Sequence, residues 1–144
     1  MMTRDSVAPQ PTQKEQGMSK TVVIVDDSSF LSKQIADFFT NQMKFQVMGI
    51  GKDGNEAIEL YNKFKPDLVT MDLTMPNKDG KTAIGEILKD HPEACIMVIS
   101  AVKGNTMLEC MKMGAKGYVE KPLKFADPVF VDDFKASIDE VFNT

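Results

Sequence analysis

The stretch from Pro66 to Pro76, Pro-Asp-Leu-Val-Thr-Met-Asp-Leu-Thr-Met-Pro, constrains this chain more than any other. Leu68 to Met71 is apolar or β-favouring at every position, long enough for a buried strand and too short for a helix. A strand with no polar face must be covered on both sides, which is the situation of a parallel sheet between helices. The run leads directly into Asp72, and Pro76 closes the loop that follows. A carboxylate at the carboxyl end of such a strand lies where open α/β sheets place their ligand sites.

The rest of the chain repeats the pattern. Thr21 to Val25 is a β-branched run that ends in Asp26-Asp27. A helix is expected from Ser29 to about Met43, capped by Ser28, with Leu31, Ile35, Phe38 and Phe39 on one stripe. Phe45 to Ile50 alternates in polarity, as an edge strand does. Asp53 with Glu56 reads as a capping box opening a second helix, which Pro66 stops. A third helix carries Ile84, Ile87 and Leu88 and ends near His91-Pro92. Cys95 to Ile99 is wholly apolar and delivers Ser100. A short helix over Asn105 to Met113 stops at Gly114. Lys116 to Glu120 is a fifth strand, followed by Lys121-Pro122. The last helix begins at Asp127 or Asp132, with Phe130, Phe134, Ile138, Val141 and Phe142 on one stripe. Five strands alternating with five helices imply a single-domain α/β fold, a (βα)5 doubly wound parallel sheet.

A length of 144 residues suits one such domain. Residues 1–19 are polar, hold Pro9, Pro11 and Gly17, and read as a disordered tail ahead of a folded domain at 20–144. A net charge of -4, without clustered Lys and Arg, argues against a nucleic-acid partner. No apolar run approaches the ~20 residues of a membrane span, and no apolar signal core is present, so a cytoplasmic protein is expected. Cys95 and Cys110 lack metal-ligand spacing and read as buried thiols of a reducing compartment.

The polar residues at strand ends all fall on one edge of the sheet: Asp26, Asp27, Asp72, Ser100 and Lys121. Three carboxylates within ~4 Å would repel by roughly 4 kcal/mol per pair at an effective dielectric of 20. They must hold a proton or bind a cation. An oxygen-only set suits Mg²⁺, and the absence of His and Cys disfavours zinc. Taken singly, each residue has a plainer reading. Asp26-Asp27 would be a capping pair, Lys121 a solvated lysine, Ser100 a cap and Tyr118 a packed strand tyrosine.

Together the motifs Val-Asp-Asp-Ser at 25–28, Met-Asp-Leu-Thr-Met-Pro at 71–76, Asp79-Gly80, Ser100-Ala101 and Gly-Tyr-Val-Glu-Lys-Pro at 117–122 resemble the receiver domain of bacterial two-component response regulators. The single-domain, CheY-like chemotaxis type is the nearest in pattern. The resemblance implies a flavodoxin-like strand order 2-1-3-4-5. It implies a phosphoprotein in which Asp72 accepts a phosphoryl group from a histidine kinase. Asp27 would ligate Mg²⁺ directly, Asp26 through water, and the Thr74 backbone carbonyl would complete the protein ligands together with Asp72. Lys121 and Ser100 would contact phosphoryl oxygens, Ser100 and Tyr118 would switch, and Lys121-Pro122 would be cis. The implied output is binding to a downstream protein, a flagellar motor switch or a phosphatase, by a monomer with no fused output domain.

Three other readings stay open at this level: a phosphorelay intermediate serving a histidine phosphotransfer protein, a Mg²⁺-dependent phosphohydrolase, and a receiver-like scaffold that is never phosphorylated. Thr74 and Val102 occupy the two positions that tune dephosphorylation in the family. Neither offers an acid or amide to position water, so a long phosphoryl lifetime is expected. The connection over Phe125 to Asp133 also looks longer than the family pattern.

Overall fold

A computed structural model of the protein describes residues 20–143. The tail read at 1–19 lies outside the described residues. Ten elements alternate along the chain: β1 (Thr21–Val25), α1 (Ser29–Asn41), β2 (Gln46–Gly51), α2 (Gly54–Phe64), β3 (Leu68–Met71), α3 (Gly80–Asp90), β4 (Ile96–Ser100), α4 (Asn105–Met113), β5 (Gly117–Glu120) and α5 (Pro128–Val141). All strand pairs are parallel, in the order β2-β1-β3-β4-β5. This is the doubly wound sheet expected from the alternation of elements, in the flavodoxin-like strand order that the resemblance implied.

β3 lies at the centre, between β1 and β4, and all four of its residues are buried. Alternate residues of each strand feed two different cores. Val22, Ile24, Leu68, Met97 and Ile99 face α1 and α5, where they meet Ile35, Phe38, Phe39, Phe134 and Ile138. Val23, Val25, Val69, Met71, Ile96 and Val98 face the opposite layer, with Ala57, Tyr61, Ala83, Ile84, Ile87 and Cys110 of α2, α3 and α4. The two faces differ in chemistry. Seven phenylalanines pack in or against the α1/α5 core, among them Phe38 stacked on Phe134 at 4.9 Å and on Phe125 at 5.3 Å. The other core has no phenylalanine.

Helix ends follow the local sequence. Ser28 accepts the Leu31 N–H at 3.2 Å and starts α1. Asp53 accepts the Glu56 N–H at 2.9 Å, but the Glu56 carboxylate reaches back to the N–H of Lys52, one residue before the cap. α2 ends as Lys65 turns left-handed ahead of Pro66. α5 starts at the earlier of its two expected positions, with Asp127 as cap and Pro128 in the first turn. Proline there lacks only an N–H that the first turn would leave unpaired anyway.

Some strand limits shift by a residue. Ser100 pairs with Glu120 as the last residue of β4 instead of following it. Phe45, expected to open β2, precedes it and is buried against Phe39. Lys121-Pro122 is cis, as the resemblance implied.

The aromatic layer yields a stability expectation. Phe134→Ala should lower stability by about 3–5 kcal/mol in chemical denaturation, the usual result of emptying a packed phenylalanine site. Val129→Ala, on the exposed side of the same helix, should stay within about 0.5 kcal/mol. Similar losses from both would contradict the packing described.

Candidate functional site

The backbone ladder sets the site before any side chain acts. The Asp26 N–H donates to the Gly51 carbonyl, and the Asp72 N–H donates to the Val25 carbonyl, each at 2.9 Å. Both acids are thereby fixed just past the ends of β1 and β3, side by side. The Lys121 N–H donates to the Ser100 carbonyl at 3.0 Å and ties the end of β5 to that of β4. Gly80 closes the loop from behind: its N–H bonds the Leu73 carbonyl at 3.1 Å, and a side chain here would collide with the Asp72 carbonyl.

Asp26, Asp27 and Asp72 each present a carboxylate oxygen, and these oxygens lie within 4.8 Å of one another. Asp26 and Asp72 are buried, at 1% and 5% exposure, whereas Asp27 faces solvent. Among the described residues, one cation stands with them. The Lys121 Nζ is 2.8 Å from Asp26 Oδ2 and 3.5 Å from Asp72 Oδ1. The other Asp26 oxygen accepts the Ser28 N–H at 2.9 Å, and the Ser32 hydroxyl donates to the Asp26 carbonyl at 3.0 Å. The expected site residues are therefore assembled, but the resting lysine bonds Asp26 more closely than Asp72. Neither Ser32 nor this division of the lysine was read from the sequence. Ser32 sat unremarked on the first helix, and only its spacing of six from Asp26 hints at contact.

Burial pushes the Asp72 carboxyl above its usual value, and the neighbouring Asp26 charge adds to the effect. Lys121 and the Thr74 backbone N–H work in the opposite direction without overcoming it. Burial also works against the charge on Lys121. The bond to Asp26 and the charge of Asp72 outweigh it, and the lysine is held above its ordinary value. One lysine against three carboxylates leaves an excess of negative charge. With all donors oxygen, and with Asp27 open to water, the residues fit a hard divalent cation.

Ser100 and Tyr118 flank the pocket on the far side of β3. Ser100 is 1% exposed, and its Oγ accepts the Val102 N–H at 3.1 Å. The half-buried Tyr118 donates its hydroxyl to the Val102 carbonyl. Both backbone groups of Val102 are thus held by the two residues expected to switch. Thr74 is exposed two residues past Asp72. His91, the single histidine, lies outside this group, packed on Tyr61 at 4.8 Å.

A model of the response regulator receiver domain matches residues 22–129. The chain belongs to the receiver domain family. This receiver domain is 44% identical over 108 residues to the chemotaxis protein CheY of Thermotoga maritima, across 74% of this chain and 89% of that protein. It is 41% identical over 114 residues to the CheY of Treponema pallidum, across 77% and 78% of the two chains. Among solved structures, the CheX–CheY–BeF3–Mg²⁺ complex of Borrelia burgdorferi contains a chain that superposes with a TM-score of 0.80 at 32% identity, covering 90% of this chain and 93% of that one. As a receiver domain, the protein is a signalling module. Among the described residues, no helix is long and apolar enough to cross a membrane.

The raised Asp72 pKa fixes the sign of a pH effect in metal-free protein. Between the ordinary carboxylate value of 3.8 and the raised folded value, the folded state binds more protons than the unfolded state. The stability Asp72 contributes is therefore complete below that window and is lost as pH rises through the folded pKa. With chelator present, Asp72→Asn should show a higher denaturation midpoint than wild type at neutral pH. The gap should close as pH falls below the window. A variant less stable than wild type at neutral pH would overturn this account.

Proposed function

We propose that the protein is a response regulator of a two-component system, in which Asp72 accepts a phosphoryl group from a histidine kinase in a Mg²⁺-dependent reaction. The observation that carries this reading is a buried acid at the end of the central strand, with two further acids and one lysine within reach. Phosphoryl transfer asks mainly for positioning and charge neutralisation. An Asp72 oxygen forms a bond to phosphorus while the phosphorus–nitrogen bond to the kinase imidazole breaks. The electron pair stays on that nitrogen, and the product is an acyl phosphate.

Asp26, Asp27, Asp72 and the Thr74 carbonyl are the groups that would hold Mg²⁺. Bound there, the ion would neutralise oxygens of the transferred group and lower its repulsion from the carboxylate. Lys121 then exchanges part of its attraction to Asp26 for a phosphoryl oxygen. The added group brings about -1.5 to -2 charge in the usual case, and Ser100 donates its hydroxyl to it. Where Ser100 turns to reach the group, its Oγ leaves the Val102 N–H that it now accepts, and the Tyr118–Val102 bond makes the β4–α4 loop and β5 respond together. The phosphoryl group acts by shifting the population between two packings of this loop.

The output is a change in affinity for a protein partner through α4, β5 and α5. Relatives named as chemotaxis proteins support a place in chemotaxis. A flagellar motor switch is the target class this suggests and a phosphatase is another; the CheX–CheY complex supports binding to a separate protein in the loaded state. The protein turns over no substrate beyond its own phosphorylation and dephosphorylation, and it acts in the cytoplasm.

Incubation with radiolabelled acetyl phosphate and Mg²⁺ should label the chain, and both Asp72→Asn and chelator should abolish the label. Sustained turnover of small phosphate esters would favour a hydrolase instead. A pull-down with and without beryllium fluoride and Mg²⁺ should retain a protein only in the loaded state.

The side chains of Thr74 and Val102 carry neither acid nor amide, so nothing at those positions directs a water at the acyl phosphate. Label chased after removal of the donor should outlast seconds. Loss within seconds would show that another group positions the water.

A further inference from the structure

The loop joining β3 to α3 carries both Asp72 and Thr74; Leu73 and Met75 anchor its first half in the core, whereas the stretch from Pro76 to Asp79 is largely exposed. Its shape is held from outside by the start of α2. Asn77 stands in the left-handed region at φ 65°, which asparagine tolerates better than most residues. Its Nδ2 donates to Asp53 Oδ2 at 2.8 Å, while Asp53 Oδ1 caps α2 through the Glu56 N–H. The Gly54 N–H donates to the Lys78 carbonyl at 2.7 Å. That approach requires glycine, because a Cβ at residue 54 would lie 2.7 Å from the same carbonyl oxygen and 2.9 Å from that of Asp79. Two adjacent bonds thus join the loop to α2, 24 positions away in sequence. Thr74 lies between Leu73, whose carbonyl accepts the Gly80 N–H, and Asn77, and its backbone N–H acts on the Asp72 carboxyl.

We propose that Asn77 is a positioning residue for the phosphoacceptor site: its bond to Asp53 holds the loop in the shape that keeps the Thr74 backbone at the Asp72 carboxylate and its carbonyl ready for Mg²⁺. The inference rests on the reading of Asp72 as a Mg²⁺-dependent acceptor. Asparagine meets two demands here. It accepts the left-handed backbone, and it supplies a donor to a carboxylate that already spends its other oxygen on a helix cap. Packing does not explain the pair, since Asp53 and Asn77 are solvent-accessible. Groups one shell beyond metal ligands commonly govern affinity by orienting those ligands.

The test separates the bond from its surroundings. Asn77→Gly keeps the left-handed backbone accessible and removes the donor. Asp53→Ser keeps a cap for α2 and removes the second acceptor. The double variant Asp53→Asn/Asn77→Asp reverses donor and acceptor, retains an oxygen for the cap, and leaves net charge unchanged. Mg²⁺ binding to the unphosphorylated full chain is measured by calorimetry, with thermal unfolding in chelator as the check on folding. Asn77→Gly and Asp53→Ser should each weaken Mg²⁺ binding by about tenfold, the lower end for an outer-shell partner. Combining them should weaken it little further, and the reversed pair should recover to within about twofold of wild type, as expected for coupled residues. Undiminished Mg²⁺ affinity in either single variant, or no recovery in the reversed pair, would overturn the role of Asn77. Failure of wild type to bind Mg²⁺ at all is a separate result, and it would overturn the phosphoacceptor reading with it.

Discussion

The contact on which this site depends is the one between Lys121 and the two buried acids of β1 and β3. Asp26 and Asp72 are pressed together by the main-chain ladder, and their separation follows from strand spacing. Two like charges in so dry a place would drive one of them to keep its proton. Lys121 relieves part of that strain from the end of β5, two strands away from β3. It does so incompletely, because Asp27 adds a third negative group at the mouth. The remaining imbalance makes the pocket receptive to a divalent cation and to an anionic group that the cation can shield.

The parallel sheet brings residues so distant in sequence to one edge. Asp26, Asp72, Ser100 and Lys121 all lie at or just past carboxyl ends of strands. A right-handed crossover between each pair of strands returns the chain to the same starting side. Every strand therefore delivers its last residue to the same rim. The helices need only be amphipathic, and the caps at Ser28, Asp53, Asp79 and Asp127 set where four of the five begin. Asp79 also sits beside Gly80, so the start of α3 and the closure behind Asp72 are neighbouring events in the chain.

Much of this was legible in the sequence because it depends on local signals. Unbroken apolar runs such as Val22 to Val25 mark strands covered on both faces, and the polar residue after each run marks the rim. The cap at Asp53 was readable from its spacing to Glu56, though the carboxylate of Glu56 chose the Lys52 N–H instead of the cap's own. What stayed hidden depends on distances between side chains. No pattern in one chain tells whether Lys121 favours Asp26 or Asp72, since both lie within its reach. Likewise Asn77 looks like any loop asparagine until Asp53 is seen opposite it. Phe45 was drawn into a strand by its alternation with Gln46 and Val47, when a place among the rings of α1 and α5 was the stronger claim on it.

The unequal chemistry of the two cores gives the domain a stiff side and a compliant side. Behind β1 and β3, interlocked rings of Phe38, Phe125, Phe130 and Phe134 can be displaced only together, since each abuts at least two of the others. On the opposite side, slender aliphatic and sulfur-bearing side chains separate α3 and α4 from the sheet and slide past one another at smaller penalty. A disturbance arising at the rim would therefore meet an anvil in one direction and a softer layer in the other.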